Sequence, residues 1–245
     1  MFLAIDADIF LYKSLTSAET EICWGDDIWS LWSDLKIAKD VFQKQIDDVT
    51  SATGVKDFVL CLSDHGANFR KDIDPSYKSN RKGTRKPIGY VQICDWARQE
   101  YRSFSKHKLE ADDCLGIIAT KPGNVGKCMI VSDDKDLKTI PSQLYRPMSG
   151  EKLTISEQEA DKFFLTQCLT GDVTDGYSGC PKIGPKTAEK ILGTRPSWSL
   201  VEQAYLKAGL TRDDAIRQAR LARILRWSDW DDKKGEIRLW TPTTK

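Results

Sequence analysis

At 245 residues the chain can bury a full core, as one large domain or as a main body with a small appendage. Its seven cysteines show no CxxC or Cys/His ligand spacing, which excludes a disulfide framework and a zinc site and points to free thiols in a reducing compartment. A formal charge of +1 taken alone argues against a dedicated polyanion binder, and no apolar run approaches a membrane span.

In chain order, Phe2 to Ile5 reads as a buried strand that ends at once in Asp6 and Asp8. Met1 to Ile5 carries no basic or long apolar leader pattern, so the expected location is cytoplasmic. The segment Cys23 to Trp32 matches no motif, and Trp29 and Trp32, three apart, are expected in the core rather than as a base platform. Leu35, Ala38, Val41, Phe42, Ile46 and Val49 recur at helical spacing until Gly54 stops the run. Phe58 to Leu62 is a second strand, followed by Asp64.

A basic segment then holds Arg70, Lys71, Lys78, Arg81, Lys82, Arg85 and Lys86 against only Asp72 and Asp74, so the near-zero average hides a segregated charge pattern. Glu110, Asp112 and Asp113 suit the start of a helix carrying Cys114, Leu115, Ile117 and Ile118. Cys128 to Val131 is a third strand, and Asp133, Asp134 and Asp136 follow it. Beyond Ser156 the pattern turns helical, with Ala160, Phe163, Phe164, Gln167 and Cys168 on one face. A Gly/Pro-rich passage from Gly171 to Pro185, a helix to Leu192 and further helical signal from Ala215 to Leu225 complete it. Strand and helix alternate as in an α/β fold with right-handed crossovers.

In such a sheet, ligand sites form beyond the carboxyl ends of parallel strands, so the acids there converge if the strands are neighbours. Asp6, Asp64, Glu110, Asp112, Asp134, Asp136, Asp172 and Asp175 are more carboxylates than acid-base chemistry uses. Each alone passes for a turn residue or helix cap. Together they would raise one another's pKa unless cations sit among them. With no His or Cys beside them, the fitting ions are Mg²⁺ or Mn²⁺. Two such ions, roughly 3.5 to 4 Å apart, clamp a phosphate for hydrolysis without a covalent intermediate.

The basic segment, with Tyr77 embedded, reads either as a solvated loop or as a mobile arch. In the second case Lys78 and Arg81 reach the scissile phosphate and Tyr77 stacks on a base. Gly179 to Lys190 forms a tight turn into a helix opened by Pro185, with Ala188 for close packing. Free N–H groups there, with Lys182, Lys186 and Lys190, suit a phosphate backbone without reading bases.

Motif by motif these residues resemble the flap endonuclease and 5′-to-3′ exonuclease superfamily, particularly its short bacteriophage members. Ile5-Asp6 is similar to the first-strand aspartate. Asp64-His65-Gly66, Phe69-Arg70 and Tyr77 to Arg81 resemble the second aspartate with its arch motif. Glu110 to Asp113 resembles the acidic helix start, Ser132 to Leu137 the strand-end pair at Asp134 and Asp136. Gly171 to Gly176, running into Ile183 to Ala188, resembles the last metal acids and the helix-three-turn-helix motif. Asp8 departs from a small residue common in the family, and Lys182 from a second glycine.

The resemblance implies a PIN-like or Rossmann-like fold with a central, mostly parallel sheet flanked by helices. It implies a catalytic domain over 1–155 with a basic helical arch over about 66–108. A helical DNA-binding region follows over 156–245, its helix-three-turn-helix at about 171–192. The implied activity is 5′ exonuclease and flap cleavage of DNA, with RNA in a hybrid as a further substrate, in replication, primer removal or recombination. Lys78, Arg81, Asp6, Asp64 and Asp134 are the implied catalytic residues. One ion falls to Asp6, Asp64, Glu110 and Asp112, with Asp113 beside them, the other to Asp134, Asp136, Asp172 and Asp175. Arg70, Tyr77, Lys78, Arg81, Lys82, Lys182, Gly184, Lys186 and Thr187 would contact DNA, with K⁺ on the turn carbonyls. No membrane or obligate protein partner is implied, and a phage protein would work in the host cytoplasm. Rival readings are a haloacid-dehalogenase-like phosphatase, with Asp6 in Ile5-Asp6-Ala7-Asp8 as nucleophile, and a non-catalytic DNA-junction binder.

Overall fold

The computed structural model describes residues 1–242. The chain opens with β1 (Phe2–Asp6) and α1 (Ala7–Ala18), then the antiparallel hairpin β2 (Glu19–Cys23) and β3 (Trp29–Ser33). Next come α2 (Leu35–Thr53), β4 (Phe58–Cys61), α3 (Phe69–Ile73), α4 (Tyr90–Glu100), β5 (Ser103–Phe104), α5 (Ala111–Thr120) and β6 (Cys128–Val131). Strands β7 (Gln143–Arg146) and β8 (Glu151–Thr154) precede the helices α6 (Glu157–Thr170), α7 (Pro185–Leu192), α8 (Trp198–Lys207) and α9 (Arg212–Ala222). A two-residue ladder of β9 (Trp230–Asp231) and β10 (Glu236–Ile237) follows.

The main sheet runs β5-β4-β1-β6-β7-β8, parallel except for β8. Strand β1 is central because Leu3, Ala4 and Ile5 are apolar on both faces, as a strand covered by helices on both sides requires. One face packs on α1, α2 and α4 through Leu11, Phe42 and Ile93, the other on α5 through Leu115 and Ile117. Helix α2 is capped by Asp34, whose carboxylate accepts from Lys36 and Ile37 N–H, and ends at Gly54 in the left-handed region (φ 72°).

A third apolar cluster unites α6 to α9. The expected division near residue 155 is crossed in both directions. Tyr77 packs into the helical cluster, whereas Ile224, Leu225 and Trp230 pack under the sheet.

The expectation for Trp29 and Trp32 is corrected. They lie on a two-stranded hairpin with no sheet behind it, and Trp24, Trp29 and Trp32 are 69%, 58% and 52% exposed. The segment 66–108 is docked rather than free-standing, since α4 buries Tyr90, Ile93, Cys94 and Ala97 against the core.

Candidate active site

Parallel register sets the first acids. Asp6 ends β1 opposite Cys61, and Ile5 lies opposite Val131, so the residues leaving β6 emerge beside Asp6. Ser132 donates its hydroxyl to Asp6 Oδ2 at 2.8 Å and accepts the N–H of Asp134 at 3.1 Å. Asp134 caps the short 3₁₀ turn Lys135–Thr139 by accepting from Asp136 N–H. Asp136 Oδ1 in turn accepts from Gln167 Nε2 on α6 at 2.7 Å. Glu110 is the N-cap of α5, and Asp112 lies in its first turn.

Asp172 and Asp175 occupy the loop after α6. Gly171 and Gly179 pin its ends, both with positive φ. A Cβ on Gly171 would lie 2.4 Å from the Ser178 carbonyl carbon, and one on Gly179 2.3 Å from Gly171 N. Only glycine permits this backbone crossing. The loop also holds the basic segment, because Lys78 N–H donates to Asp175 O while Lys78 itself adopts the left-handed conformation (φ 54°).

Burial, then the charges of Asp8 and Asp134, push the carboxyl of Asp6 up to about 7. Burial and then the Asp134 charge bring Asp136 to about 7 as well. Asp112 is also pushed well above the usual carboxylate range, by burial and then the charges of Asp6 and Asp134. Glu110 goes the other way: burial opposes ionisation, but Arg70 and Lys78 hold it down at about 2. Lys78 Nζ lies 2.5 Å from Glu110 Oε1, Arg81 pairs with Asp175 at 2.8 Å, and Lys135 with Asp172 at 2.9 Å.

Glu110, Asp112, Asp136, Asp175 and Tyr77 line a cleft of about 20 Å³, room for about one water-sized occupant. Among the described residues no three metal-ligating side chains already cage a single point. The all-oxygen donor set, the mutual repulsion and the size of the cleft fit hard divalent cations.

Three expectations are corrected. Arg70 is 2% exposed, with a guanidinium spent on Asp113, Glu110 and the carbonyls of Leu221 and Arg223, so it cannot reach DNA. Asp113 is wholly buried, neutralised by Arg70 and bonded to the N–H groups of Glu110 and Leu225, which leaves it no lone pair facing a metal. Tyr77 is 3% exposed and cannot stack on a base; its hydroxyl meets Glu110 Oε2 at 3.1 Å and Asp175 Oδ2 at 2.9 Å. Asp64 accepts from Gly66 N–H, Lys108 N–H and the His107 ring and lines one cavity with Asp8 and Glu110, and Asp8, held by Ser63 N–H, adds its charge beside Asp6. Ser132 and Gln167 are site residues that carried no expectation; only adjacency to an acidic motif marks the first, and nothing local marks the second.

The remaining basic and turn candidates, Lys82, Lys182, Gly184, Lys186 and Thr187, are exposed. Lys182 has φ 62°, a conformation that favours the glycine common at this turn.

Residues 34–164 match the family model described as 5′-3′ exonuclease, N-terminal resolvase-like domain. The exonuclease of Escherichia phage T7 is 33% identical, with alignment covering 98% of this chain and 93% of the T7 protein. The chain belongs to the 5′-3′ exonuclease family. The exodeoxyribonuclease of Enterobacteria phage T3 is 32% identical over a similar span, 98% of this enzyme and 92% of the relative. In fold the enzyme resembles the T5 5′-exonuclease solved with zinc, at a TM-score of 0.65 and 12% identity, covering 90% of this chain and 88% of that one. Membership of an exonuclease family leaves the phosphatase and inert-binder readings without support, and among the described residues no helix is long and apolar enough to cross a membrane.

Proposed function

We propose that this enzyme hydrolyses DNA phosphodiester bonds at or near 5′ ends, as exonuclease and flap endonuclease, and that it does so with divalent ions, Mg²⁺ or Mn²⁺, at two positions. The observation that carries the reading is the crowding of the buried Asp6 with the half-buried Asp112, Asp134 and Asp136, acids whose charges oppose one another while Lys78 and Arg81 pair with Glu110 and Asp175 instead. Asp6, Asp64, Glu110 and Asp112, with Asp8 beside them, would hold one ion, and Asp134, Asp136, Asp172 and Asp175 the other. When bound, such ions supply Lewis-acid polarisation of the phosphate and a nucleophile from water.

The chain's own groups do the rest. Lys78 and Arg81, paired with the cleft acids Glu110 and Asp175, would contact the scissile phosphate and stabilise its developing charge. Gln167 and Ser132 fix the carboxylates of Asp136 and Asp6 in one rotamer each. The exposed turn with Lys182, Gly184, Lys186 and Thr187 would grip the duplex backbone whatever its sequence. A T5 flap endonuclease of like fold (TM-score 0.64, 13% identity) was solved with DNA and metal ions, which supports the same partners here.

The test uses end-labelled flap, nicked and blunt duplexes, and an RNA–DNA hybrid, with Mg²⁺. Wild-type protein is expected to release short 5′ products, and Asp134→Asn to bind DNA without cutting it. Wild-type protein that binds these duplexes and never cuts would overturn the proposal.

A further inference from the structure

The β2-β3 hairpin has one closed edge and one open edge. The β2 edge carries Glu19 and Glu21, and Glu19 ties down the loop beside it by accepting from both terminal nitrogens of Arg85 and from Ile88 N–H. Strand β3, Trp29-Ser30-Leu31-Trp32-Ser33, has neither a charge nor a proline, two devices by which natural edge strands avoid pairing. Among the described residues its backbone bonds only to β2.

The hairpin's own ladder fixes which groups of β3 point outward. Trp24 N–H donates to Ile28 O and Asp34 N–H to Ala18 O, and in the same register Thr20 faces Trp32 and Ile22 faces Ser30. Bonded pairs alternate along an antiparallel ladder, so these even-numbered residues bond across the hairpin. The outward N–H and C=O groups of β3 therefore belong to Trp29, Leu31 and Ser33.

Those groups are self-complementary. A second β3 laid antiparallel along the edge, with a two-fold axis at Leu31, sets Leu31 opposite its own copy and Trp29 opposite Ser33 of the second copy, all as hydrogen-bonded pairs. This register overlaps the whole strand. Trp32 then meets Ser30 of the second copy, so each indole faces a serine, and the two Trp32 rings become diagonal neighbours within aromatic reach. The exposed indoles are held ready, because Trp24 Nε1 donates to Ser30 Oγ at 2.7 Å and Trp29 Nε1 to Asp27 Oδ1 at 3.2 Å. Nucleic acid is a poor occupant here: Glu19, Glu21, Asp26, Asp27 and Asp34 lie in the stretch 19–34, which has no lysine or arginine.

We infer that the β3 edge is a self-association surface through which two copies of the chain join their hairpins into one four-stranded sheet, β2-β3-β3-β2. The inference is independent of the nuclease function proposed above.

The experiment is sedimentation equilibrium of the full chain without DNA over about 1 to 200 µM, a range suited to the small, exchanging interface that one short strand per copy forms. Wild type is expected to pass from monomer to dimer. Leu31→Lys sets two ammonium groups opposite each other at the two-fold axis and should raise the dimer dissociation constant about tenfold or more. Thr20→Lys adds the same charge to β2 and should leave it unchanged. A wild type that stays monomeric throughout overturns the inference, as does a Leu31→Lys variant that dimerises like wild type or a Thr20→Lys variant weakened as much. A second measurement keeps the two copies intact: in a Cys23→Ser background, Leu31→Cys places two thiols in a bonded pair with Cα atoms about 5.5 Å apart, within disulfide reach. Oxidation should cross-link it into a covalent dimer, and a dimeric sample that does not cross-link places the interface elsewhere and refutes the proposal.

Discussion

Arg70 and Asp113 face each other as a bidentate pair, Nη1 to Oδ2 and Nη2 to Oδ1 both at 2.8 Å, with both side chains out of solvent. The pair ties α3 to α5, and the carbonyls of Leu221 and Arg223 complete the guanidinium's contacts from the C-terminal helices. Removing one partner leaves the other charged and alone. Arg70→Ala is therefore expected to cost about 3–5 kcal/mol in urea unfolding. Arg70→Lys should recover little of it, because an ammonium cannot form the paired contact. A variant of unchanged stability but weak DNA binding would mean that Arg70 is a DNA contact after all.

Gln167 touches the proposed metal acids only through Asp136, so any effect it has on the reaction would pass through that carboxylate. With its amide donor removed in Gln167→Leu, the fold should persist, while Mn²⁺ affinity and the cleavage rate fall by about 10- to 100-fold, as for other groups that orient a metal-binding carboxylate. Calorimetric titration with Mn²⁺ separates this from a general packing defect, which would lower the melting temperature and leave the affinity of the folded fraction alone.

The pH dependence follows from Asp6 and Asp136. Each has its carboxyl at about 7 in the folded, ion-free protein, against about 4 in an unfolded chain. The folded form binds these protons more tightly, so the stability they contribute is fully present below about pH 4 and is lost as pH rises through about 7. The melting temperature of EDTA-treated protein should fall between pH 6 and 8, and the gain on adding Mg²⁺ should be larger at pH 8. Cleavage should rise over the same window. An EDTA-treated profile that is flat from pH 6 to 8 would contradict this account.

Lys78 competes with any cation for Glu110. Lys78→Ala is expected to slow single-turnover cleavage by about 100-fold, the scale of one lost transition-state contact, with a smaller loss of DNA affinity. The same change should tighten Mn²⁺ binding, since Glu110 loses its ammonium partner. Equal losses in rate and affinity would reduce Lys78 to an anchor.

The strands that carry the centre are legible because β1, β4 and β6 are short apolar runs, β1 ending at Asp6 and the others soon followed by Asp64 and Asp133, a pattern that parallel, doubly covered strands produce. Helix α2 was legible from its spacing and Gly54. What misled was residue type without its partner. Arg70 looks like a DNA contact until Asp113, 43 positions away, is known to face it. Tyr77 looks like a stacking ring until α6 and its neighbours cover it. Trp29 and Trp32, three apart, imitate a helical face, yet in a strand they point to opposite sides. Asp8, by sequence either an extra outer-shell ligand or a turn acid, is seen to lie close to Asp6 only because α1 starts immediately after β1.

The long reach of Arg70 bears on when the enzyme becomes competent. The guanidinium that positions Glu110 is completed by carbonyls at 221 and 223, and Asp172 and Asp175 also arrive late in the chain. During synthesis, the acids from Asp6 to Asp136 emerge well before these groups, so the centre stays unassembled until most of the polypeptide has folded onto it. Chains lacking the residues from Asp172 onward are therefore expected to be inactive, because both the late acids and the carbonyls that hold Arg70 would be missing.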